Sequence, residues 1–219
     1  MENRTAIKRN SAIKTMATRT EFTLSLIIIA LFLFAFFFTK AFGSPYNLTN
    51  LAKQGAIIGV LAVAQTSVII TGGIDISGGS IAGLGCMVMA LLQTTTTMPF
   101  PMTVLTCLLV CVVCGVINGI IIYDLRVPPM IATLGTSTII RGIVKLLCGG
   151  LNVTFVDERI LSIGTNKLFG FLPVLTLFWI GVAVVVLLLL KYTTFGRNLF
   201  VIGSGIEVAR LSGIKVRKM

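Results

Sequence analysis

Four long stretches of this chain carry no charged side chain: 22–39, 76–94, 102–123 and 172–190. Two further runs, 51–71 and 129–148, are nearly as apolar and hold only Lys53, Arg141 and Lys145. A helix of about 20 apolar residues spans the hydrocarbon of a bilayer. The six runs therefore predict six transmembrane helices in an all-α integral membrane protein, a polytopic helix bundle. Composition agrees, because only 11% of the 219 residues are charged and mean hydropathy is +1.02. A soluble domain carries about 25% charged residues. Pro45, Pro99-Phe100-Pro101, Pro128-Pro129 and Pro173 fall at or near the edges of the runs, where helices begin or end.

The cations predict orientation. With the N-terminus placed in the cytoplasm, that side holds Arg4, Lys8, Arg9, Lys14, Arg19, Arg126, Lys191, Arg197, Arg210, Lys215, Arg217 and Lys218. The outer loops hold Lys40, Arg159 and Lys167. Twelve against three is a positive-inside bias. The organisation expected is a cytoplasmic tail over 1–21, a transmembrane domain over 22–190 and a cytoplasmic segment over 191–219. The first run is longer than the apolar region of a signal peptide and is followed by no clean small-residue cleavage site, so it reads as a retained span. The net charge of +11 does not indicate nucleic acid. The basic residues sit at the ends of apolar runs and form no aromatic-interleaved stripe.

Several chemistries are excluded. The chain has no histidine, so His-based metal sites, Ser-His-Asp triads and His proton relays are impossible. Cys111-Val-Val-Cys114 matches C-x-x-C but lies inside an apolar run. With Cys107 it forms one helical face, which reads as small residues packing between helices. Neither G-x-x-x-x-G-K-[ST] nor G-x-G-x-x-G occurs, so ATP hydrolysis is not expected on this chain. Three G-x-x-x-G pairs, Gly55/Gly59, Gly79/Gly83 and Gly115/Gly119, are expected to mark close helix packing.

Polarity intrudes at three places. Thr71-Gly-Gly-Ile-Asp-Ile-Ser-Gly-Gly-Ser80 precedes an apolar run, Ile81–Leu92, too short to span alone, so part of it is expected at membrane depth. Irregular backbone there must be buried in protein or line a watery cavity. A broken helix beside a translocation path and an interfacial turn with Asp75 as a cap both fit. The second place runs from Asn118 through Pro128-Pro129 to Thr133, Thr136, Ser137 and Arg141, with Thr133 and Ser137 on one helical face. Arg141 there either faces a polar interior or snorkels. The third is the basic, amphipathic tail from Thr194 to Ile214, which fits an anionic-lipid surface or a docking helix for a cytoplasmic partner.

Together these segments resemble the permease subunits of ABC importers for ribose, xylose, galactose and related sugars, a group that includes autoinducer-2 importer permeases. "GGIDISGGSIAGL" is similar to the family's GGIDLSVGS pattern. "GVINGIIIYDLRVPPMIATLGTSTIIRGI" resembles its NG…L.VPPFIATLGT…RG pattern, and "TTFGRNLFVIGSGIEVARLSGI" its T.FGR..YAIGGN..AARLSGI pattern. The likeness runs from about residue 45 to 215 in family order.

The resemblance implies a second permease copy or homologue, two ABC ATPase subunits carrying ATP and magnesium, and an extracytoplasmic sugar-binding protein, all around a lipid bilayer. No cofactor is expected on this chain and no nucleic acid. By match, Glu207, Ala209, Leu211, Ser212 and Gly213 inherit the ATPase-docking role, although Val208 and "GSGIE" depart from the family pattern. Asp75, Ser77, Ser80, Asn118, Thr133 and Thr136 are the candidates for the substrate path or its support, since a hydroxyl-rich solute needs its lost water contacts replaced. Family permeases continue for several helices beyond the docking loop, so the resemblance implies a fragment or a shortened product.

Three other readings use the same residues. A secondary transporter would couple an ion gradient through Asp75, and a truncated protein would bind partners without transporting. An intramembrane aspartyl protease would use Asp75 and Asp124, but GGID is not GxGD and precedes the Tyr-Asp pair.

Overall fold

The computed structural model describes residues 20–153, 157–168, 170 and 172–218. The cations from Arg4 to Arg19 lie outside the described residues. The apolar helices are α1 (Thr20–Phe38), α2 (Pro45–Ile70), α3 (Gly78–Thr95), α4 (Phe100–Tyr123) and α5 (Pro129–Leu147). A short helix α6 (Glu158–Thr165) and a two-stranded ribbon, β1 (Lys167–Leu168) with β2 (Leu172–Pro173), lead to apolar α7 (Val174–Tyr192). Helices α8 (Thr194–Ser204) and α9 (Ile206–Leu211) and a 3-10 turn (Val216–Lys218) follow. Among the described residues, α2, α3, α4, α5 and α7 are each long and apolar enough to cross a membrane, and α1 is apolar over Phe22–Phe38.

The chain divides into two compact units, Met1–Ala52 and Lys53–Met219. In the first, the turn after α1 folds onto its own helix. The Phe32 and Phe42 rings meet edge to face at 5.2 Å. A side chain on Gly43 would lie 2.7 Å from the Phe36 ring, which would have to shift to admit one. Ser44 accepts the Asn47 amide at 3.2 Å, and Pro45 supplies a first helical residue that needs no amide partner. Asn47 also donates to the Phe42 carbonyl at 2.8 Å. These polar caps explain why α2 begins six residues before the apolar run predicted at 51–71.

In the second unit, α3 packs along both α4 and α5. Its burial is the reverse of a soluble core. Ser77, Ser80, Thr103, Asn118, Thr133 and Ser137 are buried, whereas Leu105, Leu108, Leu109, Val112 and Val113 of α4 are exposed. Lipid accepts that apolar surface, and the polar groups turn inward because hydrocarbon cannot hydrogen-bond them. Gln93 of α3 donates to Thr103 of α4 at 2.6 Å, fixing the α3–α4 corner. The prolines act as predicted: Pro101 lies in the first turn of α4 and Pro129 in that of α5.

The glycine pairs do not all act as predicted. A side chain on Gly59 would overlap the Trp179 indole, so the indole of α7 rests on α2 there. Gly55, Gly79, Gly83, Gly115 and Gly119 have nothing within 4 Å of an added Cβ. Between α3 and α4 the tight glycine is Gly85 instead, where a Cβ would lie 2.9 Å from the Cys111 sulfur. Cys107 is buried and the Cys111 thiol faces the Ile81 carbonyl at 3.7 Å, as expected of packing cysteines. Among the described residues no His/Cys/Asp/Glu cluster is suited to a metal.

Candidate solute path and coupling segment

Helix α2 ends because Gly72 takes φ +81, a left-handed conformation that glycine enters without side-chain strain. The amides of Gly72 and Gly73 return to the carbonyls of Ile69 and Val68. Residues 73–77 then run without helix until α3 starts at Gly78. A non-helical strip between two apolar helices needs partners for its backbone. Thr133 of α5 supplies one: its hydroxyl accepts the Ile76 amide at 3.1 Å and donates to the Pro129 carbonyl at 2.9 Å.

Asp75 organises the rest of the break. One carboxylate oxygen accepts the Ser77 amide at 2.7 Å and the Ser77 hydroxyl at 2.6 Å. Because the Ser77 proton is committed to Asp75, Ser77 must accept from Asn118, which donates its amide nitrogen at 2.8 Å. That chain of donors fixes the orientation of the Asn118 amide and leaves its buried carbonyl oxygen unpartnered among the described residues. Farther along α3, Ser80 meets Ser137 at 2.7 Å and receives the Arg141 Nε at 3.0 Å.

The six path candidates thus separate by position. Asp75, Asn118 and Thr133 line one cavity of about 420 Å³, together with Thr71, Gly72 and Gly73. Asp75 also borders a second cavity of about 380 Å³ against α2. Ser77 is fully buried and links Asp75 to Asn118. Ser80 joins α3 to α5, and Thr136 bonds back to the Thr133 carbonyl of its own helix at 3.1 Å. The geometry can hold hydrogen-bonding solutes beside one carboxylate.

The structure adds contacts between this break and the tail. Ile202, Ile206 and Val216 line the same 420 Å³ cavity as Asp75. A side chain on Gly203 would overlap the Ile70 carbonyl at the end of α2. Arg217 pairs with Asp124 at the end of α4 at 3.1 Å. The Arg210 guanidinium is held protonated above its ordinary value, first by a hydrogen bond to Tyr123 and then by the charge of Glu207, which lies 2.9 Å away. No local sequence signal pairs residues so far apart, and a glycine in an amphipathic helix does not announce what it touches. Of the docking candidates, Ala209 is buried, Glu207, Leu211 and Ser212 are exposed, and Gly213 adopts φ +76 to end α9. Leu211 is 89% exposed.

Thr133→Val keeps the shape and removes the acceptor of the Ile76 amide. The expected cost is about 1–3 kcal/mol, the penalty for an orphaned buried donor. It should appear as a lower thermal midpoint in detergent, with Thr133→Ser retaining more stability because it keeps the hydroxyl.

Apolar spans around a polar, non-helical break, with a tail segment packed against that break, make this a multi-pass membrane protein. The chain belongs to the family described as branched-chain amino acid transport system / permease component, which matches residues 47–219. It is 30% identical over 205 residues to the autoinducer 2 import system permease protein LsrC of Escherichia coli O9:H4 (strain HS), covering 93% of this chain and 59% of that protein. It is 33% identical over 195 residues to the protein of that name from Yersinia enterocolitica, covering 89% and 54%. For the Yersinia pestis (strain Pestoides F) protein the identity is 32% over 205 residues, covering 93% and 57%. The chain therefore spans a little over half the length of these curated relatives. No solved structure matches it.

Proposed function

We propose that this chain supplies part of the translocation path of an ABC importer for a monosaccharide or similar polyhydroxylated solute, energised by a separate ATPase. The observation that carries the reading is the shared cavity: Asp75, Asn118 and Thr133 line it from the membrane side, and Ile202, Ile206 and Val216 from the tail. A movement of α8 and α9 would reach the polar break directly. The likeness to autoinducer 2 import permeases supports a small oxygen-rich solute. In this reading the N-terminus and residues 191–219 are cytoplasmic, ATP and magnesium belong to the partner, and the chain itself hydrolyses nothing. Glu207, Ala209, Leu211, Ser212 and Gly213 form the docking surface. A second permease and an extracytoplasmic binding protein complete the importer.

The docking part is tested by cross-linking. In the complete importer, Leu211→Cys is expected to cross-link to a cysteine placed on the ATPase surface. The natural cysteines of this chain should give no such product. A Leu211→Cys protein that assembles but yields no ATPase adduct contradicts the docking assignment.

A further inference from the structure

Arg141 is a charged side chain within an apolar helix long enough to cross a membrane. It lies in α5, twelve residues after Pro129 and six before the helix ends at Leu147, about 9 Å inside that end at 1.5 Å per residue. Helical side chains lean toward the N-terminus of their helix. Arg141 therefore points back along the span, away from the nearer membrane surface. Its Nε bond to Ser80 at 3.0 Å holds it there, and Ser80 is itself bound to Ser137 at 2.7 Å. Both serines are at least nine-tenths buried, with 7% and 3% exposure. This arrangement is the opposite of snorkelling, in which the cation reaches outward to the headgroups. Arg141 is nonetheless exposed on the surface of the unit, and among the described residues no carboxylate pairs with it. No hydrogen bond there engages its two Nη groups. An unpaired cation facing hydrocarbon is costly, by about 2.5–3.5 kcal/mol on insertion scales and more in other treatments. The face it points into must therefore be polar in the assembled protein.

Thr133, Ser137 and Arg141 lie four residues apart on α5, and all three bond to the segment from Ile76 to Ser80. They make one polar seam, about 12 Å long at 1.5 Å per residue, from the Asp75 break to the free guanidinium. We propose that Arg141 contacts the transported solute, its two Nη groups donating to a pair of neighbouring hydroxyl oxygens. The planar fork of arginine presents two parallel donors at a spacing suited to paired oxygens. Ser80 and Ser137 position it by holding Nε. This assignment rests on the polyhydroxylated-solute reading above.

The test uses the complete importer with the five natural cysteines of this chain replaced and a single cysteine at Arg141, at Thr138 or at Ile139. Thr138 and Arg141 are three apart and share a face, whereas Ile139 lies on the opposite face of α5. The probe is 2-sulfonatoethyl methanethiosulfonate, a water-soluble anion that does not enter lipid. Arg141→Cys is expected to react at least tenfold faster than Ile139→Cys, and Thr138→Cys likewise if the first variant fails to assemble. At Thr138→Cys, which keeps Arg141, whichever of autoinducer 2, ribose, xylose or galactose the parent importer accumulates should slow the reaction at least fivefold. Reaction no faster than at Ile139 overturns the proposal, because that face is then dry or in lipid. An equal rate with and without a transported solute overturns the solute contact. If none of the four solutes is accumulated, it is the importer reading that fails, while the Ile139 comparison still decides whether Arg141 faces water. In a second variant, Arg141→Gln, uptake is expected to show KM raised at least tenfold with assembly intact. Loss of assembly instead would assign Arg141 to a neighbouring chain's carboxylate and overturn the proposal.

Discussion

An importer carrying Gly203→Leu is expected to reach the membrane and lose uptake by at least tenfold, with ATP hydrolysis no longer linked to transport. The reason is steric. A side chain at this position of α8 would overlap the Ile70 carbonyl, a backbone atom that no rotamer change can move. Either α8 lifts from the end of α2 or α2 shifts, and α2 leads within a few residues through the Gly72 turn to Asp75. Forcing an extra group into a packed contact costs about 1–3 kcal/mol. That range is about fivefold to more than a hundredfold in an equilibrium between coupled and uncoupled seating. Gly203→Ala should show the same direction with a smaller loss. Gly83→Ala is the control, because nothing lies within 4 Å of its added Cβ. Normal coupled uptake by Gly203→Leu would show that α8 does not transmit through this contact.

The second large effect is expected at Asp75. Asp75→Ala removes the acceptor for both the amide and the hydroxyl of Ser77, a residue with no exposed surface. Each orphaned buried donor costs about 1–3 kcal/mol. Ser77 would also be free to turn away from Asn118, whose own carbonyl already lacks a partner among the described residues. The expected result is poor assembly and uptake reduced by more than a hundredfold. Asp75→Asn separates structure from recognition, because its amide oxygen still accepts from Ser77 while the charge is gone. It should assemble normally and still lose at least tenfold in uptake. Uptake equal to the parent in Asp75→Asn would make Asp75 a cap for α3 and remove it from the solute path.

The spans were legible because the lipid requirement writes itself as length and apolarity. The edges were less so where polar caps extend a helix, as at Ser44 and Pro45, or where a strand precedes it, as at Leu172–Pro173 before α7. The break at 71–80 was legible from glycine density and a run too short to span. Its partners were only partly so. Thr133 and Ser137 could be placed on one face by their spacing, but their contacts with Ile76 and Ser80 depend on how α3 settles between α4 and α5. Glycine spacing was only a partial guide: the patterned Gly59 makes a tight contact, but Gly115 and Gly119 border open space, and the unpatterned Gly85 and Gly203 make tight contacts too. A G-x-x-x-G pair states that close approach is possible, not that a partner within the same chain uses it. The seating of the tail on Tyr123, Asp124 and Ile70 had no local signature.

The most direct test is the energy source of uptake. In cells whose only route for the solute is the complete importer carrying this chain, accumulation of labelled autoinducer 2, ribose, xylose and galactose is measured under two treatments. One depletes ATP while the proton gradient is maintained; the other collapses the gradient while ATP is maintained. The account predicts that at least one of the four solutes accumulates, that ATP depletion abolishes it and that collapse of the gradient leaves it. Accumulation that survives ATP depletion and vanishes with the gradient would contradict the account and make Asp75 the coupling carboxylate of a secondary transporter.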